Sequence, residues 1–212
     1  MQETNVKIEY IAQNTPYQDV VARQEACVAD VVQGRTGNTL LFCEHPPIYT
    51  CGTSTSMEND YIGGNKIPVI KIGRGGRITY HGPGQRVIYP IIDLTKRGRD
   101  LRQYINDLQI WLINSLAEVG VTAHTDDDVG VWVKTSRGEK KIAAIGVRVR
   151  KWVTFHGIAL NVHPDMSHFN GIVPCGIEGK GVTSLQELGV DISMTEMDDI
   201  LITQFNKVFN PN

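Results

Sequence analysis

The side chains of this sequence best suited to nucleophilic chemistry are a thiol on a predicted turn and an amine beside small apolar residues. Cys175 stands between a proline and a glycine in IVPCGIEGKG. Because proline fixes φ and glycine frees the next backbone unit, this pattern predicts a turn that presents the sulfur at a cleft or surface. Cys27 and Cys43 stand in apolar helix and strand patterns, which is typical of packing cysteines. Cys51, in YTCGTSTS, is a second cysteine predicted on a turn and remains an alternative nucleophile.

The amine is that of Lys141, which opens the segment KIAAIGVRV. Small apolar residues follow it, so its side chain is expected to lie over a partly dry surface, with Lys140 as the exposed neighbour. An ammonium close to a thiol favours the thiolate form. A cysteine and a lysine brought together would therefore supply a nucleophile and a proton carrier, although the sequence alone does not bring these two together.

The stretch from 71 to 90, KIGRGGRITYHGPGQRVIYP, combines five glycines and three arginines with His81 between two apolar strands. Such a segment can cradle an anion or let a substrate lie against bare backbone. It is not a dinucleotide-binding fingerprint, because GRGGRI lacks the third glycine of GxGxxG and no helix pattern follows. A P-loop is excluded too, since the lysine of GIEGKGVTS is followed by glycine. A hairpin loop without chemistry is the remaining alternative.

The six histidines do not form a metal-binding pattern. None occurs in HxxxH or pairs with CxxC, so no metal site is predicted. His45, His81 and His156 adjoin proline or glycine at the ends of predicted strands, where binding sites tend to be built. His124 and the acidic run at 126–128 are expected in solvated loops.

Composition and charge describe an ordinary globular chain, with 41% hydrophobic residues and a net charge of −2. This charge does not indicate nucleic acid or an anionic membrane as a partner. The N-terminus MQETNVKIEYIAQN has no apolar signal core, and no apolar run has the length of a membrane span. Four cysteines without CxxC spacing favour a reducing compartment. A cytoplasmic protein is therefore expected.

The predicted elements mix helices with strands. Apolar periodicity predicts a helix from 17 to 33, a second helix that Asp100 caps and Gly120 ends, and a third from 195 to 209 behind a TEMD capping box. Strands are predicted at 39–44, 68–72, 86–94 and 129–134, with a hairpin over 142–162 that turns near Arg150 and Lys151. Without repeats or linkers, residues 1–212 are expected to form a single α+β domain, with helices against a mixed or antiparallel sheet.

Four segments together resemble the lipoyl (octanoyl) transferase family. They are LLFCEHPPIYT, GRGGRITYHGPGQRVIYPIIDL, EKKIAAIGVRVRKWVTFHGIALNV, and IVPCG followed by VTSL. They lie in the order of that family and cover about two thirds of the chain. The resemblance implies a fold similar to the catalytic domain of biotin and lipoate protein ligases, with a mixed sheet and flanking helices.

The resemblance also implies an activity. A protein of this family moves an octanoyl group from octanoyl-acyl carrier protein, through a cysteine thioester, to a lysine amine on lipoyl domains of 2-oxoacid dehydrogenases or on the glycine cleavage H protein. This is the first step of endogenous lipoate biosynthesis, and it implies no cofactor. Cys175 corresponds to the acyl-accepting cysteine and Lys141 to the lysine that activates it. The acyl-binding residues implied are Arg74, Gly75, Gly76, Arg77, Ile78, Thr79, Tyr80, His81, Ala144, Ile145, Gly146, Gly157, Ile158 and Ala159.

One departure from the family is the stretch YTCGTST, where relatives carry YTLGR. This puts a thiol at Cys51 and removes an arginine. Three other functions stay open from the residues. A ligase that makes an acyl adenylate would not need Cys175, and a noncatalytic acyl-binding module would form no thioester. A cysteine hydrolase would require a histidine and an Asp or Asn beside the sulfur.

Overall fold

The computed structural model describes residues 6–173 and 180–210, and the strands of these residues form two sheets. Along the larger sheet the strand order is β1-β2-β6-β10-β9-β8-β7, and β11 pairs with β9 off this path. Its pairs are antiparallel except β1 with β2 and β11 with β9. The strands of this sheet are β1 (Lys7–Tyr10), β2 (Thr39–Cys43), β6 (Gln85–Ile91), β7 (Ala123–His124), β8 (Val131–Thr135), β9 (Gly138–Arg150), β10 (Val153–Asn161) and β11 (Gly181–Val182).

Three helices cover the two faces of this sheet. Helix α1 (Tyr17–Val32) buries Val20, Cys27, Val28 and Val31 against β6 and β10 on one face. On the other face lie α3 (Leu101–Ala117) and α4 (Met194–Phe209), which pack on each other and on the sheet. The predicted α+β fold, a mixed sheet with flanking helices, is confirmed.

The smaller sheet has the order β4-β3-β5 and its own apolar cluster. Its strands are β3 (Ile48–Cys51), β4 (Val69–Lys71) and β5 (Thr79–His81). A short helix α2 (Met57–Asp60) follows β3, and short 3-10 helices span Leu94–Arg97 and Met166–Gly171. Strand β5 runs directly into the turn before β6, so the two sheets meet here. Residues 72–78, which connect β4 to β5, are called the glycine-rich stretch below.

Several predicted boundaries agree with the structure. The Asp100 side chain accepts hydrogen bonds from the backbone N–H groups of Arg102 and Gln103, which begins α3. The β9–β10 hairpin turns through Lys151 and Trp152, at φ 50° and 63°. Such left-handed pairs match the twist of adjacent strands.

Some predictions about local structure were wrong or only partly right. The capping box of α4 is formed by Ser193 and Glu196 rather than by TEMD, because the Ser193 hydroxyl accepts from the Glu196 N–H. His124 is in strand β7 and pairs with Glu139 at 3.0 Å, so it is not a solvated loop residue. The acidic run is not purely solvated either, since Asp126 lies 2.7 Å from the Lys180 ammonium.

Within the described residues, the helices are either too short or too polar to cross a bilayer.

Candidate active site

A cavity of about 500 Å³ opens between the glycine-rich stretch and one face of the larger sheet. It lies on the same face as α1, where Val87, Tyr89 and Ala159 point. The residues predicted to bind the acyl chain meet here, although their positions lie far apart in the sequence. Of that set, the lining includes Arg74, Gly75, Gly76, Arg77, Ile78, Thr79, His81, Ala144, Ile145, Gly146, Gly157, Ile158 and Ala159.

Tyr80 is the member of the predicted set that is absent from the described lining. Neighbouring strand residues point to opposite faces, so Tyr80 faces away from His81. Its ring packs against Tyr49 and Phe169 in the core of the smaller sheet, and its hydroxyl lies 2.7 Å from His168 Nδ1. Its contacts therefore position β5 and leave the cavity wall to its neighbours.

Two arginines hold the glycine-rich stretch in place. Arg74 donates to the Thr50 carbonyl at 2.7 Å and to the Gly75 carbonyl at 2.9 Å, which pins the stretch to β3. Arg77 donates at 2.9 Å to the fully buried carboxylate of Asp60 in α2. Hydrogen bonds to charged groups are stronger than neutral ones, so these contacts order a segment that its glycines leave free.

Close backbone approach gives the cavity its shape. A Cβ on Gly146 would lie 2.9 Å from Arg74 Cδ and 3.4 Å from the Gly75 carbonyl oxygen. A Cβ on Gly157 would lie 2.1 Å from the Ile88 carbonyl oxygen. Glycine is thus required for the glycine-rich stretch to lie on β9 and for β10 to lie close to β6. His156, just before Gly157, has φ 58° and bonds through its N–H to the Gln24 side chain.

A β-bulge turns Lys141 toward the cavity. Val131 pairs with Ala143, whereas the next residue, Trp132, pairs with Lys141, so Ile142 is the extra residue of β9. Ile142 and Ala143 both pack in the core with α3 and α4. In a regular strand Lys141 would share the face of Ala143. The bulge instead gives it the cavity face, where Ala144 also lies.

The Lys141 side chain is buried and held by two contacts. Its ammonium donates to the Val129 carbonyl at 3.1 Å and lies 4.6 Å from the centroid of the Trp132 ring. A Cβ on Gly130 would lie 2.9 Å from Lys141 Cε, so glycine is needed where the side chain passes. The predicted dry surface is confirmed. Cys175 lies outside the described residues, and its predicted meeting with Lys141 stays a prediction.

A line of side-chain amides connects His81 to the backbone of Lys141. The Gln85 carbonyl oxygen lies 2.7 Å from His81 Nδ1, and the Gln85 amide donates to Asn161 at 2.8 Å. The Asn161 amide donates to the Thr183 carbonyl at 2.9 Å, and the Thr183 N–H donates to the Lys141 carbonyl at 3.0 Å. Because the Gln85 oxygen can only accept, the proton of neutral His81 is on Nδ1 and its lone pair is on Nε2.

The histidines around the cavity are held neutral. Burial lowers the pKa of His81 to about 3 and that of His156 to about 4. Burial also lowers the pKa of His45 to about 4, and its Nε2 lies 2.7 Å from the Tyr89 hydroxyl. Burial raises the pKa of the Tyr17 hydroxyl to about 12, so this group is neutral as well. This part of the wall is therefore polar but uncharged near neutral pH, which suits a neutral chain.

The remaining cysteines have packing roles in the described structure. Cys27 and Cys43 are buried in the cluster between α1 and the sheet, as predicted. Cys51 is in strand β3, so its predicted place on a turn was wrong. Its sulfur lies 3.6 Å from Met57 Sδ, and burial raises the pKa of its thiol. Both properties make Cys51 a poor nucleophile.

Sequence reasoning missed several residues of the wall. Gln85 and Asn161 lie inside two of the segments that resemble the family, but their pairing depends on the register of β6 with β10, which sets Gln85 opposite Asn161. Tyr17 opens a helix and gives no local sign that its ring faces His45 and His81. Among the described residues, no cluster of three or more His, Cys, Asp or Glu side chains could hold a metal ion.

Comparison with solved structures identifies the fold. A bi-partite lipoate protein ligase from Thermoplasma acidophilum, described with its E2 lipoyl domain as an archaeal lipoylation system, aligns over 97% of this chain and 84% of its own. The TM-score is 0.71 at 19% sequence identity. The biotin protein ligase from Aquifex aeolicus aligns over 96% of this chain and 68% of its own, with a TM-score of 0.57 and 13% identity. The predicted similarity to this ligase fold is confirmed.

Comparison of sequences identifies the family. The model of the lipoyl protein ligase A/B catalytic domain matches residues 16–206. The octanoyltransferase of Maricaulis maris is 50% identical over 201 residues, covering 93% of this chain and 88% of its own. That of Parvibaculum lavamentivorans is 51% identical over 199 residues, covering 92% and 88%. The chain therefore belongs to the lipoyl protein ligase A/B catalytic-domain family, in which it is an acyltransferase of the lipoyl(octanoyl) transferase type.

Proposed function

We propose that this protein transfers an octanoyl group from octanoyl-acyl carrier protein, through a thioester on Cys175, to a lysine of a lipoyl domain. The observation that carries the proposal is the buried Lys141 ammonium on the wall of a mainly uncharged cavity of about 500 Å³. The relatives named octanoyltransferase, about half identical over nearly the whole chain, support the choice of acyl group. The reaction would be the first step of endogenous lipoate biosynthesis.

The chemistry takes two steps and needs no ATP. The Cys175 thiolate attacks the carrier thioester and forms a new thioester, an exchange between equivalent bonds. The carrier thiolate that leaves takes a proton from the Lys141 ammonium, which becomes a neutral amine. The acceptor amine then attacks the acyl-cysteine, which forms an amide and releases Cys175. Lys141 takes the proton of the attacking amine and returns a proton to the leaving thiolate, so protons balance over the cycle.

The acyl chain is proposed to lie along β9 and β10, beneath the glycine-rich stretch. Gly146 and Gly157 keep the walls close together, while Ala144 and Ala159 leave space between them. His81, Tyr17 and Tyr89 surround the cavity as neutral groups and would contact the chain without placing a charge beside it. Tyr80 is proposed to act only through the position of β5.

Lipoyl domains are proposed as acceptors for two reasons. The archaeal ligase that shares this fold is described with its E2 lipoyl domain as parts of one lipoylation system. The relatives of higher identity carry the octanoyltransferase name. We extend the proposal to lipoyl domains of 2-oxoacid dehydrogenases and the glycine cleavage H protein. We further propose a cytoplasmic location and one catalytic domain over 1–212, which the family match over 16–206 supports.

The test is to mix the purified protein with octanoyl-acyl carrier protein in the absence of ATP, and to record the intact mass with peptide mapping. We expect one octanoyl group on Cys175, discharged when a lipoyl domain is added. Cys175→Ser should carry no thioester. Cys51→Ser is the matched control, and it should acylate like the wild type because Cys51 is buried away from the cavity lining.

Other outcomes would identify other functions. An octanoyl group on Cys51 would show that the nucleophile is Cys51 of β3 and not Cys175. Full transfer by Cys175→Ala that depends on ATP would indicate an adenylate-forming ligase. Reversible binding of octanoate without any adduct would indicate an acyl-binding module. Loss of the acyl group to water at the same rate with and without a lipoyl domain would indicate a cysteine hydrolase.

A further inference from the structure

The indole of Trp132 contacts two ammonium groups. The Lys141 Nζ atom lies 4.6 Å from the ring centroid and the Lys180 Nζ atom lies 4.8 Å from it. Trp132 is completely buried, and its Nε1 donates to the Asp128 carbonyl at 3.0 Å. An indole face attracts cations through its quadrupole, and this ring is fixed by packing and by a hydrogen bond. The two lysines therefore share one rigid contact.

The two ammoniums differ in their counter-charges. Lys180 lies 2.7 Å from an Asp126 carboxylate oxygen and 3.6 Å from one of Asp128. The hydrogen bond to Lys180 lowers the pKa of Asp126, and the same bond raises the pKa of Lys180. Both groups are thus charged at neutral pH. The Lys141 ammonium instead donates its hydrogen bond to a neutral group, the Val129 carbonyl.

The residues from Asp126 to Gly130, here called the acidic loop, connect these two lysines. At one end, Asp126 is held by Lys180. At the other, the Val129 carbonyl accepts from Lys141, and the Gly130 carbonyl accepts from Gln109 in α3 at 3.0 Å. Strand β11, which follows Lys180, pairs with β9 at Lys140 and Lys141. A displacement of Lys180 would therefore reach Lys141 through the acidic loop and through the strand pair.

We propose that Lys180 is a positioning residue for Lys141: its ion pairs with Asp126 and Asp128 fix the acidic loop, whose Val129 carbonyl orients the Lys141 ammonium, and they neutralise these two carboxylates near the cavity. This inference rests on the proposed function, in which Lys141 carries protons. Asp128 and Val129 line the cavity, so both effects act at its wall. Without Lys180, the Asp128 carboxylate on this wall and the Asp126 carboxylate of the same loop would lose their counter-charge.

Removal of the Lys180 cation and removal of the Asp126 anion should shift the pH–rate profile in opposite directions. Lys180→Met leaves the carboxylates uncompensated, which favours the ammonium form of Lys141, so the rising limb of the pH–rate profile should move to higher pH. Asp126→Asn leaves Lys180 partly uncompensated, so the same limb should move to lower pH. Each shift should be about half a pH unit and should shrink at high salt. A purely structural role would move neither limb.

Other titratable groups line the same cavity and are unchanged in these variants. One of these groups is Asp127, in the acidic loop. The other groups are Tyr17 of α1, Arg74 and Arg77 of the glycine-rich stretch, His81 of β5, Tyr89 of β6 and His156 of β10. Because they are common to every variant, differences between profiles report the replaced charge.

The experiment starts from wild-type and variant proteins loaded with octanoyl-acyl carrier protein, and measures single-turnover transfer to a lipoyl domain from pH 6 to 9. Lys180→Met should lower the transfer rate constant about tenfold to a hundredfold, the scale expected from misplacing a catalytic group, with little change in KM. Lys180→Arg should restore most of the rate. Lys140→Met, a neighbouring cation replaced by the same residue, is the control and should match the wild type.

Failure of this inference can be separated from failure of the proposed function. If the wild type forms no acyl-enzyme, the proposed function is wrong and this inference falls with it. If the wild type transfers normally and folded Lys180→Met has the same rate and profile, Lys180 does not position Lys141. If Lys180→Met unfolds, Lys180→Arg and Asp126→Asn provide the test. Equal losses of transfer rate in these two variants, with the rising limb of each pH–rate profile at the wild-type pH, would overturn the proposal.

Discussion

Backbone contact, more than side-chain volume, determines how close the cavity walls lie. Gly157 is the clearest case, because its Cα lies where any side chain would meet the Ile88 carbonyl of the next strand. The neighbouring His156 takes a left-handed conformation, and its buried Nδ1 has no partner among the described protein groups. The chain thus keeps a strained residue beside a glycine at the point where β6 and β10 approach the cavity.

We predict that Gly157→Ala lowers the free energy of unfolding by about 1–3 kcal/mol, as overpacking of a close contact does. The added Cβ would lie 2.1 Å from the Ile88 carbonyl oxygen, so β6 and β10 must separate. Urea unfolding measures the change, and acylation by octanoyl-acyl carrier protein should fall with it. Gly37→Ala is the control, because nothing lies within 4 Å of a Cβ there. Equal stability of the two variants would contradict this account.

At this scale nearly all of the predicted acyl-binding residues line the cavity, whereas the polar network of its wall was not predicted. The glycine-rich stretch and the Lys141 segment carry local patterns, and the structure brings them together. Gln85 and Asn161 carry no such pattern, because they meet only through strand register. The bulge at Ile142 was also beyond sequence reasoning, since alternation predicts one face and the extra residue reverses it.

At the scale of elements, a buried ion pair links helix α4 to the sheet. Arg86 of β6 donates two hydrogen bonds to the Asp198 carboxylate, at 2.7 and 3.0 Å. The side chains are only 9% and 4% exposed, so neither charge could be solvated if its partner were removed. The pair therefore fixes the register of α4 on β6, while Met197, Leu201 and Phe205 supply the apolar contact.

We predict that Asp198→Asn lowers the free energy of unfolding by about 3–5 kcal/mol, because it leaves the Arg86 charge buried without a counter-ion. The double variant Arg86→Met, Asp198→Leu should recover most of that loss, since it removes both charges together. Asp30→Asn, which breaks an exposed pair with Arg35, should cost less than about 1 kcal/mol. A double variant less stable than Asp198→Asn would show that the pair itself stabilises α4.

Long elements were easier to predict than short ones for a physical reason. Helices α1 and α3 show several turns of apolar period, and each ends near a glycine with positive φ, Gly34 or Gly120. Strand β1 was missed because its four residues give too few alternations. Strands β3 and β5 were missed as well, since they lie in stretches that proline and glycine interrupt.

At the scale of the whole molecule, the described core contains three neutral imidazoles that the unfolded chain would expose. His45, His81 and His156 are 1%, 7% and 4% exposed. Each has its pKa lowered by burial, to about 4, 3 and 4. An unfolded histidine has a pKa of about 6.5, so below this pH the unfolded chain binds protons that the folded chain does not. Acid therefore favours unfolding.

We predict that the free energy of unfolding is highest above pH 6.5 and falls as the pH drops from 6.5 toward 4. Between pH 6.5 and 5 the fall comes mainly from these three histidines, and Asp198 offsets part of it because burial raises its pKa to about 6. Urea unfolding at pH 8, 6.5 and 5 measures it. His45→Gln should flatten the dependence, whereas His163→Gln, at an exposed position, should leave it unchanged. Stability that stays level from pH 8 to 5 would contradict this prediction.

The bulge in β9 determines which residues should be varied to make the enzyme accept a different acyl group. Counting every second residue from Lys141 leads to Ala143, which packs in the core with α3 and α4. Counting from Ala144 leads to Gly146, which borders the cavity. A mutant library built on the first count would test folding, and one built on the second would test acyl-chain preference. Deletion of Ile142 would remove the bulge, so Lys141, Ala143 and Ala144 would alternate as in a regular strand and Lys141 would keep the cavity face.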